Sequence, residues 1–322
     1  TLEQIEPQIH AAIRRYGANR IAVVIGTSTG GADENIPMFR QAMQGKAWQD
    51  LTFNQCQHLM NAPADFIADA YGLNGLRYVV STACTSGARA LISAARLLRA
   101  GMCDAVVCGG ADTLSPLTVN GFASLEVLSP NIANPFSANR DGINIGEGAA
   151  VFIMTRDADF SGGMQLLGYG ASSDAYHMSS PRPDAQGAIL AFQTALQHAG
   201  LAPEDIGWIN LHGTGTHHND SMESRAVAAV FGNNTPCTST KPQTGHTLGA
   251  AGAIEAAFAW GIADRRRNPE NRLPPQLWDG QNDPDLPAIN LTGGNSFWTT
   301  EKHIAASSSF AFGGSNCVLL IG

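Results

Sequence analysis

Short apolar runs rich in β-branched residues alternate along the first half of the chain with segments of helical periodicity. This alternation is typical of a parallel sheet that is covered by helices. The predicted elements are a strand at 21–26, a helix within 47–71, a strand at 77–82, a helix over about 84–100, a strand at 104–112, and two longer strands at 146–156 and 163–173 that close this half.

The same rhythm starts again after the proline-rich segment 181–187. The predicted elements of this part are a helix around 188–199, a strand at 206–213, helices near 220–230 and 248–263, and a last pair of strands on either side of 310–316. Strands that alternate with helices in both parts predict an α/β protein.

Two passages, STACTSGARALISAA and STKPQTGHTLGAAGAIEAA, resemble each other. Each runs from a predicted strand, through Ser-Thr and a corner of small residues, into a predicted helix. A duplicated α/β unit explains this similarity most simply. We therefore divide the chain into two similar halves, 1–173 and 174–322.

Composition and charge mainly exclude classes of function. With 322 residues, of which 44% are hydrophobic and 14% charged, the chain can bury a large core. The net charge of -8 argues against a general nucleic-acid binder, and no apolar run approaches the about 18 residues of a membrane span. The basic run 265–267 is consistent with a helix C-terminus or with a docking point for an acidic carrier protein.

The six cysteines are scattered, without the paired spacing of a zinc site. Reduced thiols of this kind fit a cytoplasmic protein. Cys84 stands apart from the others because it lies where a predicted strand turns into a helix. There the unpaired amides of the first helical turn favour a thiolate and can hold a developing oxyanion, although a structural buried cysteine is equally consistent with the corner alone.

Two histidines occupy similar corners. His212 follows an apolar strand directly, and His246 precedes a helix, with Lys241 five residues ahead of it. Parallel strands bring their carboxyl ends to one edge of a sheet, so both imidazoles are predicted to lie near Cys84. From there they can donate hydrogen bonds to a thioester or a carboxylate.

The segments STACTSG, NLHGTGTHHNDSMES, STKPQTGHTLGAAGAIEA and SFAFGGSN resemble, in this order, the four signature segments of the elongating β-ketoacyl-acyl-carrier-protein synthases of the thiolase superfamily. NPFSANRDGINIGEGAA and SSDAYHM match further stretches of that family, and the resemblance extends from near Arg20 to the C-terminus. It implies a thiolase-like, layered αβαβα fold built from two duplicated halves with mixed sheets.

The resemblance also implies roles for the candidate residues. Cys84 would be the nucleophile that accepts the acyl group. His212 and His246 would hydrogen-bond the malonyl thioester carbonyl, promote decarboxylation and stabilise the enolate. Lys241, paired with Glu223, would orient the histidine side of the site.

Further residues match positions that contact the substrate in that family. Thr214 and Thr216 would hold the phosphopantetheine arm, and the size of Thr29 would help to limit the length of the acyl chain. Phe312 matches a gating phenylalanine whose N–H joins that of Cys84 in the oxyanion hole, with Phe310 nearby. On residue type alone, either phenylalanine is also consistent with the core.

The implied reaction condenses a Cys-bound acyl chain with malonyl-acyl-carrier protein, needs no metal or dissociable cofactor, and serves fatty-acid or related polyene or polyketide synthesis. The implied partners are acyl carrier protein and a second synthase subunit, in a homodimer or a heterodimer. The family's opening strand and helix are expected to be missing from this chain, and Ala311 replaces the usual glycine of the gating loop.

Three alternatives stay open. Residues 26–30 fit the G-x-S-x-G pattern of serine hydrolases, with Ser28 as nucleophile. The segment HHND at 217–220, together with His212, could contribute to a metal site. The chain could also be a non-catalytic partner that binds carrier protein beside an active synthase.

Overall fold

The computed structural model of the protein describes residues 1–161 and 163–322, which form helices and two β-sheets. The helices are α1 (Leu2–Tyr16), α2 (Ile36–Met43), α3 (Gln55–His58), α4 (Ala62–Tyr71), α5 (Ser86–Arg99), α6 (Pro116–Ser124), α7 (Ala158–Ser161), α8 (Gln186–Ala199), α9 (His217–Phe231), α10 (Lys241–Thr244) and α11 (Ala251–Ala263). The strands are β1 (Ile21–Gly26), β2 (Arg77–Val80), β3 (Ala105–Asp112), β4 (Gly148–Thr155), β5 (Leu166–Ser173), β6 (Trp208–Leu211), β7 (Pro236–Ser239), β8 (Asn290–Leu291), β9 (Ala305–Ala311) and β10 (Ser315–Ile321).

The first sheet has the strand order β2-β1-β3-β4. Strands β2 and β3 run parallel to β1, and β4 runs antiparallel to β3. The central strand β1 is buried on both faces, as its uninterrupted apolar sequence predicts. The prediction of a βαβ arrangement around β1 is therefore confirmed.

The second sheet has the order β5-β10-β9-β6-β7-β8 and is also mixed. Strand β5 pairs antiparallel with the C-terminal strand β10. The prediction that 163–173 closes the first half is therefore wrong, because this strand forms the edge of the second sheet. Its alternating apolar residues fit either sheet, and only its long-range pairing decides between them.

Five layers follow from the way the helices cover the sheets. Helices α1 and α4 pack on the outer face of the first sheet, and α8 and α9 pack on the outer face of the second. Helices α5 and α11 lie between the sheets, where their apolar residues form a common core with both. This layered α/β architecture agrees with the thiolase-like fold that the resemblance implies.

The two central helices approach each other at glycines. A Cβ atom at Gly87 of α5 would lie 2.8 Å from the backbone nitrogen of Ala253, and one at Gly252 of α11 would lie 2.8 Å from that of Ala88. Because the two contacts are reciprocal, α5 and α11 are related by a local pseudo-twofold axis. The duplicated sequence passages meet at this axis.

Alanine at Gly252 is expected to destabilise the protein. The added methyl group would overlap α5, and overpacking of this kind costs about 1 to 3 kcal/mol. Gly261 in the same helix has open space around its Cβ direction, so Gly261→Ala is expected to gain about 0.5 to 1 kcal/mol from helix propensity. Urea unfolding of both variants measures the two changes, and the same sign for both would contradict the close approach.

Among the helices of residues 1–161 and 163–322, none has both the length and the apolar composition of a membrane span.

Candidate active site

Cys84 lies in a sharp corner between β2 and α5, which we call the first elbow (residues 82–86). Ala83 has a φ of 51°, a left-handed conformation that costs an alanine about 1 kcal/mol. The Ser86 hydroxyl compensates by donating to the carbonyl of Ala83 at 2.6 Å and accepting from the N–H of Thr82 at 2.9 Å. The corner places the thiol just before the helix, as the sequence predicts, with 7% of the residue exposed.

His246 belongs to the loop that leads into α11. Its N–H donates to the carbonyl of Asn144 at 2.6 Å, and its carbonyl accepts from the N–H of Gly146 at 3.0 Å. The segment before β4 therefore fixes this histidine on both sides. A second elbow (residues 247–251) follows it, with Leu248 at a φ of 50°.

His212 is held at the end of β6 by a buried carboxylate. Glu223 accepts the N–H groups of His212 and Gly213, each at 2.7 Å, and the hydroxyl of Ser308 at 2.8 Å. Burial raises the pKa of Glu223 to about 7, against the lowering effect of these donors. Glu223 therefore positions the strand end and does not line the space beside the thiol.

The structure brings the three predicted groups together. Nε2 of His246 lies 3.0 Å from Sγ of Cys84, and the rings of His212 and His246 meet edge to face with centroids 5.1 Å apart. The sulfur and one nitrogen of each ring lie within 4.8 Å of one another. A thiol and two imidazoles thus face one small space.

Lys241 fixes the tautomer of His212. Its ammonium lies 3.3 Å from Nδ1 of that ring and 2.5 Å from Oε1 of Glu255. An ammonium group only donates, so Nδ1 accepts and Nε2 carries the ring proton. His212 is thereby set as a hydrogen-bond donor toward the reacting groups.

The predicted pairing of Lys241 with Glu223 is wrong, because its partner is Glu255 of α11. Sequence reasoning missed Glu255. The available signal was a single carboxylate in the otherwise uncharged helix AGAIEAAFAWGIA, where a buried charge needs a partner.

The prediction of a resting thiolate is also wrong. Burial raises the pKa of Cys84 to about 12, although Lys241 and a backbone N–H act in the opposite direction. Burial and the charge of Lys241 lower the pKa values of His212 and His246 well below their usual range. The resting site therefore holds a thiol and two neutral imidazoles.

An apolar cavity of about 410 Å³ opens beside the thiol. Its lining includes Cys84, Thr29, Leu117, Phe122, Leu125 and Phe312. Phe312 is 38% exposed, and its ring centroid lies 5.6 Å from that of Phe122. Another cavity, of about 260 Å³ beside β5 and α8, contains none of these residues.

The remaining candidates have different surroundings. The hydroxyls of Thr214 and Thr216 lie 3.0 Å apart, and Thr216 also caps α9 by accepting the N–H of Asn219. Phe310 is buried, with its ring centroid 6.0 Å from that of His212, so it packs against the imidazole from the core side.

Two alternatives lose their structural basis. The hydroxyl of Ser28 donates to Asp112 at 2.8 Å, and no histidine pairs with it among the contacts of the described residues. His217 and His218 are exposed at the start of α9. In the described chain, the side chains close enough together to share a metal ion are Cys84, His212 and His246, and this group includes no residue of 217–220.

Comparison with known proteins shows the family to which the chain belongs. Residues 10–159 match the family model described as beta-ketoacyl synthase, N-terminal domain, and residues 164–271 match beta-ketoacyl synthase, C-terminal domain. The 3-oxoacyl-[acyl-carrier-protein] synthase 2 of Synechocystis is 34% identical over 95% of this chain and 76% of that protein. The chain belongs to the beta-ketoacyl synthase family.

Solved ketosynthases share its fold. One from Xenorhabdus doucetiae, in complex with its chain length factor, is 45% identical with a TM-score of 0.91, over 100% of this chain and 79% of that one. A second, in complex with a type II acyl-carrier protein and bound to a hexaketide, is 26% identical with a TM-score of 0.83, over 94% and 78%. This beta-ketoacyl synthase is therefore a carbon–carbon bond-forming acyltransferase.

The neutral thiol of this synthase predicts a specific pH dependence. Below its pKa, the thiolate fraction of Cys84 grows about tenfold per pH unit, so alkylation by iodoacetamide is expected to keep accelerating between about pH 6 and about pH 9. Peptide mapping by mass spectrometry reads Cys84 separately from the exposed Cys56. If the alkylation rate of Cys84 reached a plateau below about pH 8, the raised pKa would be contradicted and a resting thiolate would be supported.

Proposed function

We propose that this synthase transfers an acyl chain from acyl-carrier protein to Cys84 and then condenses it with malonyl-carrier protein. The observation that carries the proposal is the contact of Cys84 with the neutral His246 at 3.0 Å, beside a second imidazole whose proton is fixed on Nε2. A nucleophile, a proton acceptor and a hydrogen-bond donor then face one substrate space.

In the acylation step, Sγ of Cys84 attacks the thioester carbonyl while its proton passes to Nε2 of His246. The tetrahedral oxyanion binds the backbone N–H groups of Cys84 and Phe312. The C–S bond to the carrier then breaks, and His246 gives the proton to the departing thiolate, which leaves as a thiol. The apolar cavity receives the chain that remains on Cys84.

After acylation, His246 exchanges its ring proton through solvent from Nδ1 to Nε2. In the condensation step, the Nε2–H groups of both imidazoles then donate to the thioester carbonyl of the malonyl group. The carboxylate leaves as CO2 and its bond electrons form an enolate, which these donors stabilise. The enolate carbon attacks the acyl thioester, the bond to Sγ breaks, and the thiolate takes a proton from solvent. Since the departing carboxylate supplies the electron pair, the step as written uses no metal or dissociable cofactor.

Residues around the reacting groups have supporting roles in this proposal. Thr214 and Thr216 hold the phosphopantetheine arm, and Phe312, exposed at the cavity, gates it. Phe310 supports the His212 ring, and Thr29 limits the length of the bound chain through its position in the cavity wall.

Acyl-carrier protein and a second synthase subunit are the proposed partners. The support is that related ketosynthases were solved with a chain length factor and with a carrier protein. These complexes favour an assembly of two subunits, either a homodimer or a heterodimer. The free cysteines favour a cytoplasmic location. The complete Cys-His-His set favours the active subunit over a non-catalytic partner.

The separate duties of the two histidines provide the test. We expect the protein, given acyl-carrier and malonyl-carrier proteins, to release one CO2 for each 3-oxoacyl product. His212→Ala is expected to slow CO2 release about 100-fold or more, because one donor to the enolate is lost. Acylation of Cys84 is expected to change much less, since His212 does not accept the thiol proton.

The control is His198→Ala. The imidazole of His198 lies on the surface against Tyr169, so its removal is expected to leave both steps unchanged. Loss of acylation and CO2 release in equal measure for His212→Ala would contradict the division of roles. A folded wild-type protein that makes no product with several acyl lengths would favour the non-catalytic partner.

A further inference from the structure

One buried carboxylate outside the reacting groups joins both sides of the active site. Asp112, at the end of β3, is 5% exposed. Its oxygens accept from Thr27 Oγ1 at 2.6 Å, Ser28 N at 3.0 Å, Ser28 Oγ at 2.8 Å, Thr29 N at 3.4 Å, Thr29 Oγ1 at 3.3 Å and Gly249 N at 2.6 Å.

These donors belong to two separate parts of the site. Ser28 and Thr29 follow β1 and line the cavity beside Cys84. Gly249 belongs to the second elbow, three residues after His246 and next to Leu248, which lines the same cavity. The carboxylate therefore ties the cavity wall to the loop that carries His246.

The pseudo-twofold axis gives the Gly249 contact a particular meaning. In the first elbow Thr85 N donates to Thr82 O at 3.3 Å, and in the second Ala250 N donates to Thr247 O at 3.0 Å. Gly249 thus holds the place in the second elbow that Cys84 holds in the first. Its amide, equivalent to the one proposed for the substrate oxyanion, binds the oxygen of Asp112.

The contact between Gly249 and Asp112 leaves no room for a side chain at position 249. A Cβ atom at Gly249 would lie 2.6 Å from Oδ2 of Asp112 and 2.6 Å from the nitrogen of Ser28. Leu248, immediately before it, is in the left-handed conformation, which a leucine adopts only where its surroundings enforce it. The bond from Gly249 to Asp112 is one such restraint.

We propose that Asp112 is a positioning residue for acyl transfer, which fixes the second elbow, and with it His246, against Cys84 and the cavity wall. The proposal rests on the proposed function and adds a residue to it. Asp112 is not among the residues that line the cavity beside the thiol, so it acts through the geometry of His246.

Asp112→Asn tests the proposal with little change in volume. The N–H of Ser28 is 3.0 Å from both carboxylate oxygens, so either orientation of the amide places an NH2 group against a donor. The elbow is expected to shift, and the single-turnover rate of Cys84 acylation to fall about tenfold to about 100-fold. The KM for acyl-carrier protein is expected to stay within about twofold, because Asp112 is buried and offers the carrier no contact surface.

The matched control is Asp104→Asn, a carboxylate that lies just before the opposite end of β3 and pairs with Arg20. It is expected to lower the thermal midpoint while acylation stays within about twofold of wild type. An unchanged acylation rate in folded Asp112→Asn would overturn the proposal. So would equal rate losses in the two variants, which indicate a purely structural role.

Two measurements separate this proposal from the proposed function. A crystal structure of Asp112→Asn is expected to show Cys84 Sγ and His246 Nε2 farther apart than 3.0 Å, whether or not the protein transfers acyl groups, and an unchanged separation overturns the positioning role. If the variant does not fold, hydrogen exchange of wild-type 246–251 decides. Protection equal to that of α11 supports the restraint, and exchange as fast as an exposed loop contradicts it.

Discussion

The close approach of α5 and α11 is the constraint on which the site depends. Gly87 and Gly252 allow the two helices to meet backbone to backbone at the pseudo-twofold axis. Each helix begins at an elbow, so the same contact brings the corner with Cys84 next to the loop with His246. Two elbows of matching backbone geometry thus carry different residues, Cys84 in the first and Gly249 in the second.

Burial determines the protonation states at this junction. Low exposure raises the pKa of the thiol and lowers the pKa values of both imidazoles, so the reacting groups are neutral at rest. The buried charge of Lys241 is balanced by Glu255, and the ammonium fixes which nitrogen of His212 carries the proton. The charged pair of Lys241 and Glu255 positions His212 and takes no direct part in the reaction.

Much of this fold was predictable because buried segments leave a recognisable pattern in the sequence, either an unbroken apolar run or apolar residues at helical spacing. Strand β1 has six buried residues in succession, and α5 buries one face, so both were found. Helix α6 buries none of its residues and has no such pattern, which explains why it was not predicted. The sheet to which β5 belongs depends on its partner β10, which lies far away in sequence.

The site was predictable where its residues lie at strand ends and corners, as for Cys84, His212 and His246. The partner of Lys241 was not, because Glu223 and Glu255 both lie in helices and only the packing shows which carboxylate reaches the ammonium. The thiolate prediction failed for a related reason. A helix N-terminus is visible in the sequence, whereas the desolvation that outweighs it is a property of the folded interior.

Intact-mass spectrometry of the protein after incubation with acyl-carrier protein shows whether Cys84 accepts the acyl group. We expect a mass increase of one acyl group, which is lost in Cys84→Ala and retained in Cys56→Ala, a change to an exposed thiol. An unchanged mass for the folded protein, or an acyl adduct that persists without Cys84, would contradict it.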